Sequence, residues 1–263
     1  MAQTKVSIVT PTWNREAFLP SIHACVRQQT YENFEWLVLD DSETPSAELS
    51  GCQWDKLKYI HSAQRMSIGE KRNLLISEAS GEIIVNFDDD DFYGPDYVKN
   101  RIEALDASGK KLSLMSGFFV YQLNTGHFGY CKTQVKSGLG FCFNKQGVKV
   151  VNLARVKIPF IHLCFGWTYV FHKELWDHVK FSDLMIFEDR EFIRQLMDRF
   201  EIHFHESDRI DAIHSIHSLS SSNCFPQFLI PPFMVSAESD ATGAHVEQLQ
   251  LIVKDLIAAA VPA

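Results

Sequence analysis

Positive charge is the first thing this chain is short of. Its 263 residues carry 25 Lys and Arg against 33 Asp and Glu, a formal net charge of −8. Nonspecific binding to DNA or RNA needs a basic surface, so nucleic acid is excluded as a partner. Paired cysteines are missing too. The six, Cys25, Cys52, Cys131, Cys142, Cys164 and Cys224, are scattered with no Cys-x-x-Cys spacing. That excludes a structural zinc site of the common kind and leaves free thiols in a reducing compartment. No apolar run is long enough to span a bilayer, and no signal-peptide pattern opens the chain. There is no Asn-x-Ser/Thr sequon. The expectation is a soluble cytoplasmic protein, with contact to a membrane surface left open.

What is there is an acidic cluster. Asp88-Asp89-Asp90-Asp91 follows the apolar run Ile83-Ile84-Val85-Asn86-Phe87. Adjacent carboxylates raise one another's pKa, so the cluster needs solvent or a counter-charge. A divalent cation with oxygen ligands is the usual counter-charge. A buried strand ending in carboxylates also matches the place where open α/β sheets bind ligands, beyond the carboxyl ends of their strands. The plain alternative is a solvated acidic turn.

The first ~110 residues alternate strand and helix, which predicts a mostly parallel sheet with right-handed crossovers. Strands are expected at Val6–Val9 (stopped at Pro11), Phe34–Leu39, Leu57–Ile60 and Glu82–Phe87. Helices are expected over Arg15–Gln29, from Ile68 after the capping-box pattern Ser67-x-x-Glu70, and after Pro95-Asp96. After about residue 112 the pattern becomes antiparallel and loop-rich, with hairpin signals at Asn124-Thr125-Gly126 and Asn144 to Gly147. Trp167–Phe171 reads as a returning strand. Helices are expected over Lys173–Val179 and from Glu188-Asp189, where Phe192, Ile193, Leu196 and Met197 follow a helical period. A polar linker, Ser236 to Gly243, leads to a last amphipathic helix near Val246 to Ala260, suited to packing on the domain, to pairing in a homo-oligomer or to touching a membrane.

Three strands end in polar residues: Thr10-Pro11-Thr12-Trp13-Asn14, Asp40-Asp41-Ser42 and the aspartate cluster. As parallel neighbours they would line one crevice. Trp13 can stack on a base or sugar, and Asp40 can accept from a base N–H or a ribose hydroxyl. Lys71 and Arg72, early in a capped helix, can meet a diphosphate or a base carbonyl.

These segments resemble family-2 glycosyltransferases. Ser7 to Arg15 is similar to their opening strand and loop, and Phe34 to Ser42 to their second strand. Gly69-Glu70-Lys71-Arg72-Asn73, Gly81 to Asp91 and Pro95-Asp96 are similar to the stretch leading into and past their DxD motif. The order and spacing hold over about the first hundred residues. The resemblance implies an α/β GT-A fold, Rossmann-like, with a mixed, mostly parallel central sheet flanked by helices, an antiparallel acceptor-side section and a C-terminal helix. It implies a domain over residues 1–235, with a nucleotide-sugar half at 1–110 and an acceptor half at 111–235, followed by 236–263 as linker and helix.

The resemblance also implies a nucleotide-sugar donor, with UDP the expected nucleotide, a glycan or other hydroxyl acceptor, and Mn²⁺ or Mg²⁺ as cofactor. It assigns the donor to Pro11, Thr12, Trp13, Arg15, Asp40, Asp41 and Arg72, with Asp88 or Asp89 toward the ribose. Asp90 becomes the main metal ligand, with the register ambiguous by one residue. Asp189 becomes the general base of an inverting transfer, with Glu188 as the alternative. His217 is the candidate that reaches back to metal or phosphate, ahead of His214. Trp167 is placed at the acceptor, where a buried core tryptophan is the competing reading. Two other functions stay open. A sugar-phosphate nucleotidyltransferase is disfavoured, because the loop Pro11-Thr12-Trp13-Asn14-Arg15 is not Gly-rich. The other is a nucleotide- or carbohydrate-binding domain without transfer.

Overall fold

Val6, Ile8 and Val9 are fully buried, as are Trp36 to Leu39 and Ile84 to Val85. Strands apolar on both faces belong in a parallel sheet covered on both sides. The computed structural model describes residues 3–158, 160–207, 210–220 and 222–230. In chain order the elements begin with β1 (Val6–Thr12), α1 (Leu19–Arg27), β2 (Phe34–Asp40), α2 (Ala47–Ser50), β3 (Leu57–His61), α3 (Ile68–Glu78) and β4 (Ile83–Asn86). Next come β5 (Phe92–Tyr93), α4 (Tyr97–Ser108), β6 (Leu112–Gln122), β7 (His127–Lys132), β8 (Leu139–Asn144) and β9 (Gly147–Asn152). Last are β10 (Val170–His172), α5 (Glu174–His178), α6 (Glu188–Leu196), β11 (Ile202–Glu206), β12 (Ala212–Ile216) and β13 (Phe228–Ile230). The linker and helix expected over 236–263 lie outside the described residues.

The chain divides into two compact units. The first holds Met1–Asp90, Pro95–Met115 and Phe160–His205. Its sheet is parallel from β3 through β2 and β1 to β4. β10 adds on antiparallel to β4, with the start of β6 beyond it. The order reverses between β1 and β4, because β1 pairs β2 on one side and β4 on the other. That reversal opens a crevice at the carboxyl ends of the two strands.

β1 runs through Pro11, where the sequence predicts a stop. Pro11 pairs with Leu39, while pairing with β4 ends at Val9 opposite Asn86. Pro11 therefore sits where one side of the strand needs no ladder donor, the position proline tolerates. The expected strand at Trp167 is instead a 3₁₀ turn over Gly166–Thr168, and β10 starts three residues later than that expectation.

The capping box forms as the sequence indicates. The Glu70 backbone N–H donates to Ser67 Oγ at 3.1 Å, and the Ser67 N–H donates to Glu70 Oε2 at 2.8 Å. α3 packs on β1 and β2 and so delivers Lys71 and Arg72 to the crevice. α6 buries Phe192, Ile193 and Leu196 in a core shared with Val9, Ile84 and Phe171.

The second unit holds Asp91–Gly94, Ser116–Pro159 and the described residues beyond Glu206. The β6–β7 hairpin pairs Gly117 with Lys132 through to Gln122 with His127, as the turn signal indicates. β12 runs parallel to β6 and antiparallel to β5, β13 pairs β7, and β8–β9 forms a separate hairpin. No helix among the described residues is long and apolar enough to cross a membrane.

Gly69 fixes how α3 meets the segment before α6. Its N–H donates to the Leu184 carbonyl at 3.2 Å, and a β-carbon there would lie 1.8 Å from the Ser182 carbonyl oxygen. Gly69→Ala is expected to destabilise the fold by about 1–3 kcal/mol or more. A lower urea midpoint checks this. An unchanged midpoint means that the 182–184 segment gives way without cost.

Candidate active site

In the first unit the carboxyl ends of β1, β2 and β4 meet the N-terminal ends of α3 and α6. Thr12, last in β1, donates its hydroxyl to Asp89 Oδ2 at 2.6 Å, closing the crevice between β1 and β4. Asp40, last in β2, accepts at Oδ1 from the Ser42 N–H at 2.9 Å and hydroxyl at 2.5 Å, and at Oδ2 from Tyr59 at 2.6 Å. Asp41 accepts from Lys71 Nζ at 2.8 Å, from the Met66 N–H at 2.7 Å and from Arg65. Burial works against the Asp41 charge, but these donors hold its carboxyl below the usual range.

Lys71 is buried and also donates to the Thr12 carbonyl at 2.8 Å. It clips the ends of β1 and β2 together, so its charge goes to Asp41 where the sequence suggested a diphosphate. Burial lowers its pKa, and Asp41 opposes that. Trp13 is 43% exposed, and the Arg65 guanidinium lies over its ring at 4.0 Å. Asn14, next along, takes φ 52, a left-handed conformation that asparagine tolerates, and its N–H donates to Ser42 Oγ at 2.7 Å.

Arg72 is 3% exposed. It donates through Nη2 to Asp88 Oδ1 at 2.9 Å and through Nε to Glu188 Oε1 at 3.4 Å. Its Nη1 is buried without a hydrogen-bond partner. Burial disfavours the guanidinium charge, but Asp88 and Glu188 raise its pKa above the ordinary value. Arg72 therefore ties the end of β4 to the start of α6. Arg15 lies beside the next two aspartates, 3.9 Å from Asp89 and 3.7 Å from Asp90.

The four aspartates go to different partners. Asp88 faces Arg72, and Asp89 faces Thr12 and Arg15. Asp90 faces Arg15. Asp91, in the second unit, accepts from His214 Nδ1 at 2.8 Å and from the Ser215 N–H at 2.8 Å. Burial first, and the neighbouring Asp90 second, push the Asp89 carboxyl well above its usual pKa. This excess of oxygen donors suits a hard divalent cation. Among the described residues no three His, Cys, Asp or Glu form a ready metal cluster. Mg²⁺-type sites commonly use one or two carboxylates plus substrate phosphates, so the residues present fit such an ion.

Glu188 is buried, and its carboxyl is pushed up to about 7, by burial first and by Asp189 next, with Arg72 opposing. Asp189 is half-buried. Its Oδ2 accepts from the Phe165 N–H at 3.0 Å and the Gly166 N–H at 2.8 Å, and its Oδ1 from the Arg190 N–H at 2.6 Å. Burial raises its pKa against those donors and Arg72.

One expected site residue is turned away from any acceptor, and another belongs to the second unit. Trp167 is 1% exposed, packed in the core of the first unit, and presents no ring face to an acceptor. The 3₁₀ turn that replaces the expected strand turns it inward. His217 belongs to the second unit, where its Nδ1 accepts from the Leu219 N–H at 3.1 Å and its own N–H donates to Ser220 Oγ at 3.0 Å. Sequence reasoning missed Asn86, Phe165 and Gly166. Asn86 donates from Nδ2 to the Gly166 carbonyl at 2.9 Å, behind the turn that holds Asp189. A polar residue closing an apolar strand was the one signal for it.

The chain is similar in sequence and fold to known proteins. GlyG of Streptococcus pneumoniae is a glycosyltransferase 23% identical over 198 residues, 70% of this chain and 62% of GlyG. WfgD of Escherichia coli, a UDP-Glc:alpha-D-GlcNAc-diphosphoundecaprenol beta-1,3-glucosyltransferase, is 28% identical over 100 residues, 37% of this chain and 38% of WfgD. The chain thus spans less than two thirds of the length of these relatives.

Among solved structures, Staphylococcus aureus TarS 1-349 in complex with UDP-GlcNAc superimposes with TM-score 0.61 at 18% identity, covering 94% of this chain and 70% of that one. The mannosyltransferase PcManGT of Pyrobaculum calidifontis, in complex with GDP-Man and Mn²⁺, gives 0.56 at 14% identity, covering 81% and 57%. These likenesses establish the GT-A fold. The family described as Glycosyl transferase family 2 matches residues 7–154, more than half the chain. By that match, and by the crevice residues that fall within it, the chain belongs to glycosyl transferase family 2.

Proposed function

We propose that this protein is an inverting, metal-dependent glycosyltransferase that moves a sugar from a nucleoside diphosphate, UDP, to a hydroxyl of a glycan or related acceptor. The observation that carries this reading is the double ion pair of Arg72. It joins a strand-end carboxylate suited to the donor side to a helix-start Glu-Asp pair suited to the acceptor side. UDP is favoured by the UDP-GlcNAc complex of TarS and the UDP-glucose donor in the name of WfgD. The Mn²⁺ in the mannosyltransferase complex supports the metal.

In this reading Asp90 holds the cation, with Asp89 beside it. A cation held there would supply positive charge for a departing diphosphate. Pro11, Thr12, Trp13, Asp40 and Asp41 form the wall for base and ribose, and Trp13 exposes a ring face on which a base can stack. Donor entry must displace or share the Arg65 guanidinium now lying on that ring. Asp189 takes the acceptor proton. It is the better base of the pair, because Glu188 is buried behind Arg72 while Asp189 is only half-buried. A base works best with a pKa moved toward the working pH, and burial moves Asp189 that way.

Asp189→Asn is expected to keep UDP binding and lose transfer by about 10²–10⁴-fold. Near wild-type transfer from that variant rules out Asp189 as base. Asp90→Ala is expected to abolish metal-dependent UDP binding in calorimetry. If no nucleoside diphosphate binds with or without Mn²⁺, the transferase reading itself fails, and a binding domain without transfer takes its place.

Glu188 also makes a pH prediction. Its folded value of about 7 lies above the ordinary 4.5. Between those two values the folded state keeps a proton that the unfolded state has released, so stability falls as pH rises through the window. Glu188→Gln cannot lose that proton. Its urea midpoint should fall less than wild type's between pH 5 and pH 7.5. Parallel declines in the two proteins would assign the effect to other groups.

A further inference from the structure

The residue most out of place in the first unit is Phe165. It takes φ 122 and ψ 55, a conformation unfavourable for any residue with a β-carbon. The twist has a clear product. It aims two successive backbone N–H groups, of Phe165 and Gly166, at the one oxygen Asp189 Oδ2. The turn is anchored from behind. Thr168 donates from its N–H and from its hydroxyl to the Phe165 carbonyl, each at 2.9 Å, and Asn86 donates to the Gly166 carbonyl at 2.9 Å.

Gly166 is required by contact. Its φ is not positive, but a β-carbon would lie 2.8 Å from Asp189 Cβ, 3.2 Å from Oδ2 and 3.3 Å from Arg72 Nη2. Two residues before Asp189, Phe187 enters α6 at φ 70. Strained residues this close to a single side chain point to a demand on that side chain's placement.

We infer that the Phe165–Gly166 turn is a positioning clamp for the general base, which immobilises Asp189 Oδ2 and leaves Oδ1 to receive the acceptor proton. A carboxylate offers about four acceptor sites. Both on Oδ2 are filled by the clamp, and the Arg190 N–H takes one on Oδ1. The remaining site therefore lies on Oδ1. In transfer the acceptor hydroxyl gives its proton to Oδ1 as its oxygen bonds to the anomeric carbon. The bond from that carbon to the diphosphate breaks, and its electron pair leaves with the nucleoside diphosphate. Phe165 and Gly166 touch neither substrate and act only through Asp189. The inference rests on Asp189 being the base.

The test is steady-state kinetics with UDP calorimetry and thermal melts on Gly166→Ala, Phe165→Val and Phe165→Gly. Gly166→Ala pushes the carboxylate off its amides. It should cost about 100-fold in kcat while leaving UDP binding and donor KM unchanged. Lost donors also raise the pKa of the carboxylate, so the acid limb of the kcat–pH profile should move to higher pH. The other charged or titratable groups facing Asp189, namely Arg72, Asp88, Glu188, Arg190, Cys164 and Tyr169, are retained in these variants.

Phe165→Val cannot hold the positive φ and should match Gly166→Ala. Phe165→Gly can hold it, keeps both amides and should retain most of kcat. A folded Gly166→Ala with wild-type kcat and acid limb overturns the clamp, provided Asp189→Asn is inactive. If Asp189→Asn itself transfers, it is the base assignment that has failed.

Discussion

Everything at the site depends on one buried guanidinium. Arg72 stands between Asp88 on the β4 side and Glu188 at the start of α6, and it is almost sealed from water. A buried ion pair adds little net stability, because both partners give up hydration. Breaking one is costly, because the survivor is then a bare charge in a poor dielectric. The asymmetry makes Arg72 a device of placement. Neither the strand end nor the helix start can move away without stranding a charge. The capping box that opens α3 sets where Arg72 emerges, and Gly69 sets how closely α3 approaches the segment before α6.

The aspartate run shows how neighbours divide labour when their identities are equal. The run lies in the turn between β4 and β5, so successive carboxylates leave the backbone in different directions and meet different surroundings. Asp88 goes to Arg72, Asp89 to Thr12, and Asp91 to His214 and Ser215 of the second unit. Asp90 is left facing Arg15 at 3.7 Å, longer than a hydrogen-bonded ion pair. No pattern of residue types can sort such a run, because the register depends on the partners that come to meet it. The assignment of the cation to Asp90 is therefore part of the proposed function, tested by the Asp90→Ala variant.

Much of the fold was legible because its signals were local. The capping box at Ser67, the turn at Asn124-Thr125-Gly126 and the buried run Ile83 to Val85 each carry their mechanism within a few residues. Strand order was legible in outline, since alternating strands and helices leave few topologies. What was illegible depends on contact. Trp167 read as part of a strand, with acceptor stacking and core burial both open, and only the 3₁₀ turn that places it in the core decides between them. Lys71 read as a phosphate ligand, yet it is spent on Asp41 and the Thr12 carbonyl. Phe165 gave no sign at all, because nothing in a phenylalanine announces a positive φ. The candidate base was found from a Glu-Asp pair at a helix start, and the turn that holds it came only from the geometry.

Charge balance then decides what the site still needs. Around the crevice, Asp40, Asp41, Asp88 and Asp90 match Arg15, Arg65, Lys71 and Arg72 in number, and Asp89, Glu188 and Asp189, whose pKa values burial raises, are carboxyls beyond that balance. The cations are engaged as well: Lys71 and Arg65 with Asp41, Arg72 with Asp88 and Glu188, Arg15 with Asp89 and Asp90. A nucleoside diphosphate arriving here brings more charge of the same sign. In a partly desolvated crevice that repulsion is large. Moving Arg15 onto the phosphates would strip the aspartates of their counter-charge and so solve nothing. A divalent cation held by Asp90 would supply positive charge to offset the proposed diphosphate without taking Arg15 from the aspartates. That is the physical ground on which the proposed donor and metal would bind together.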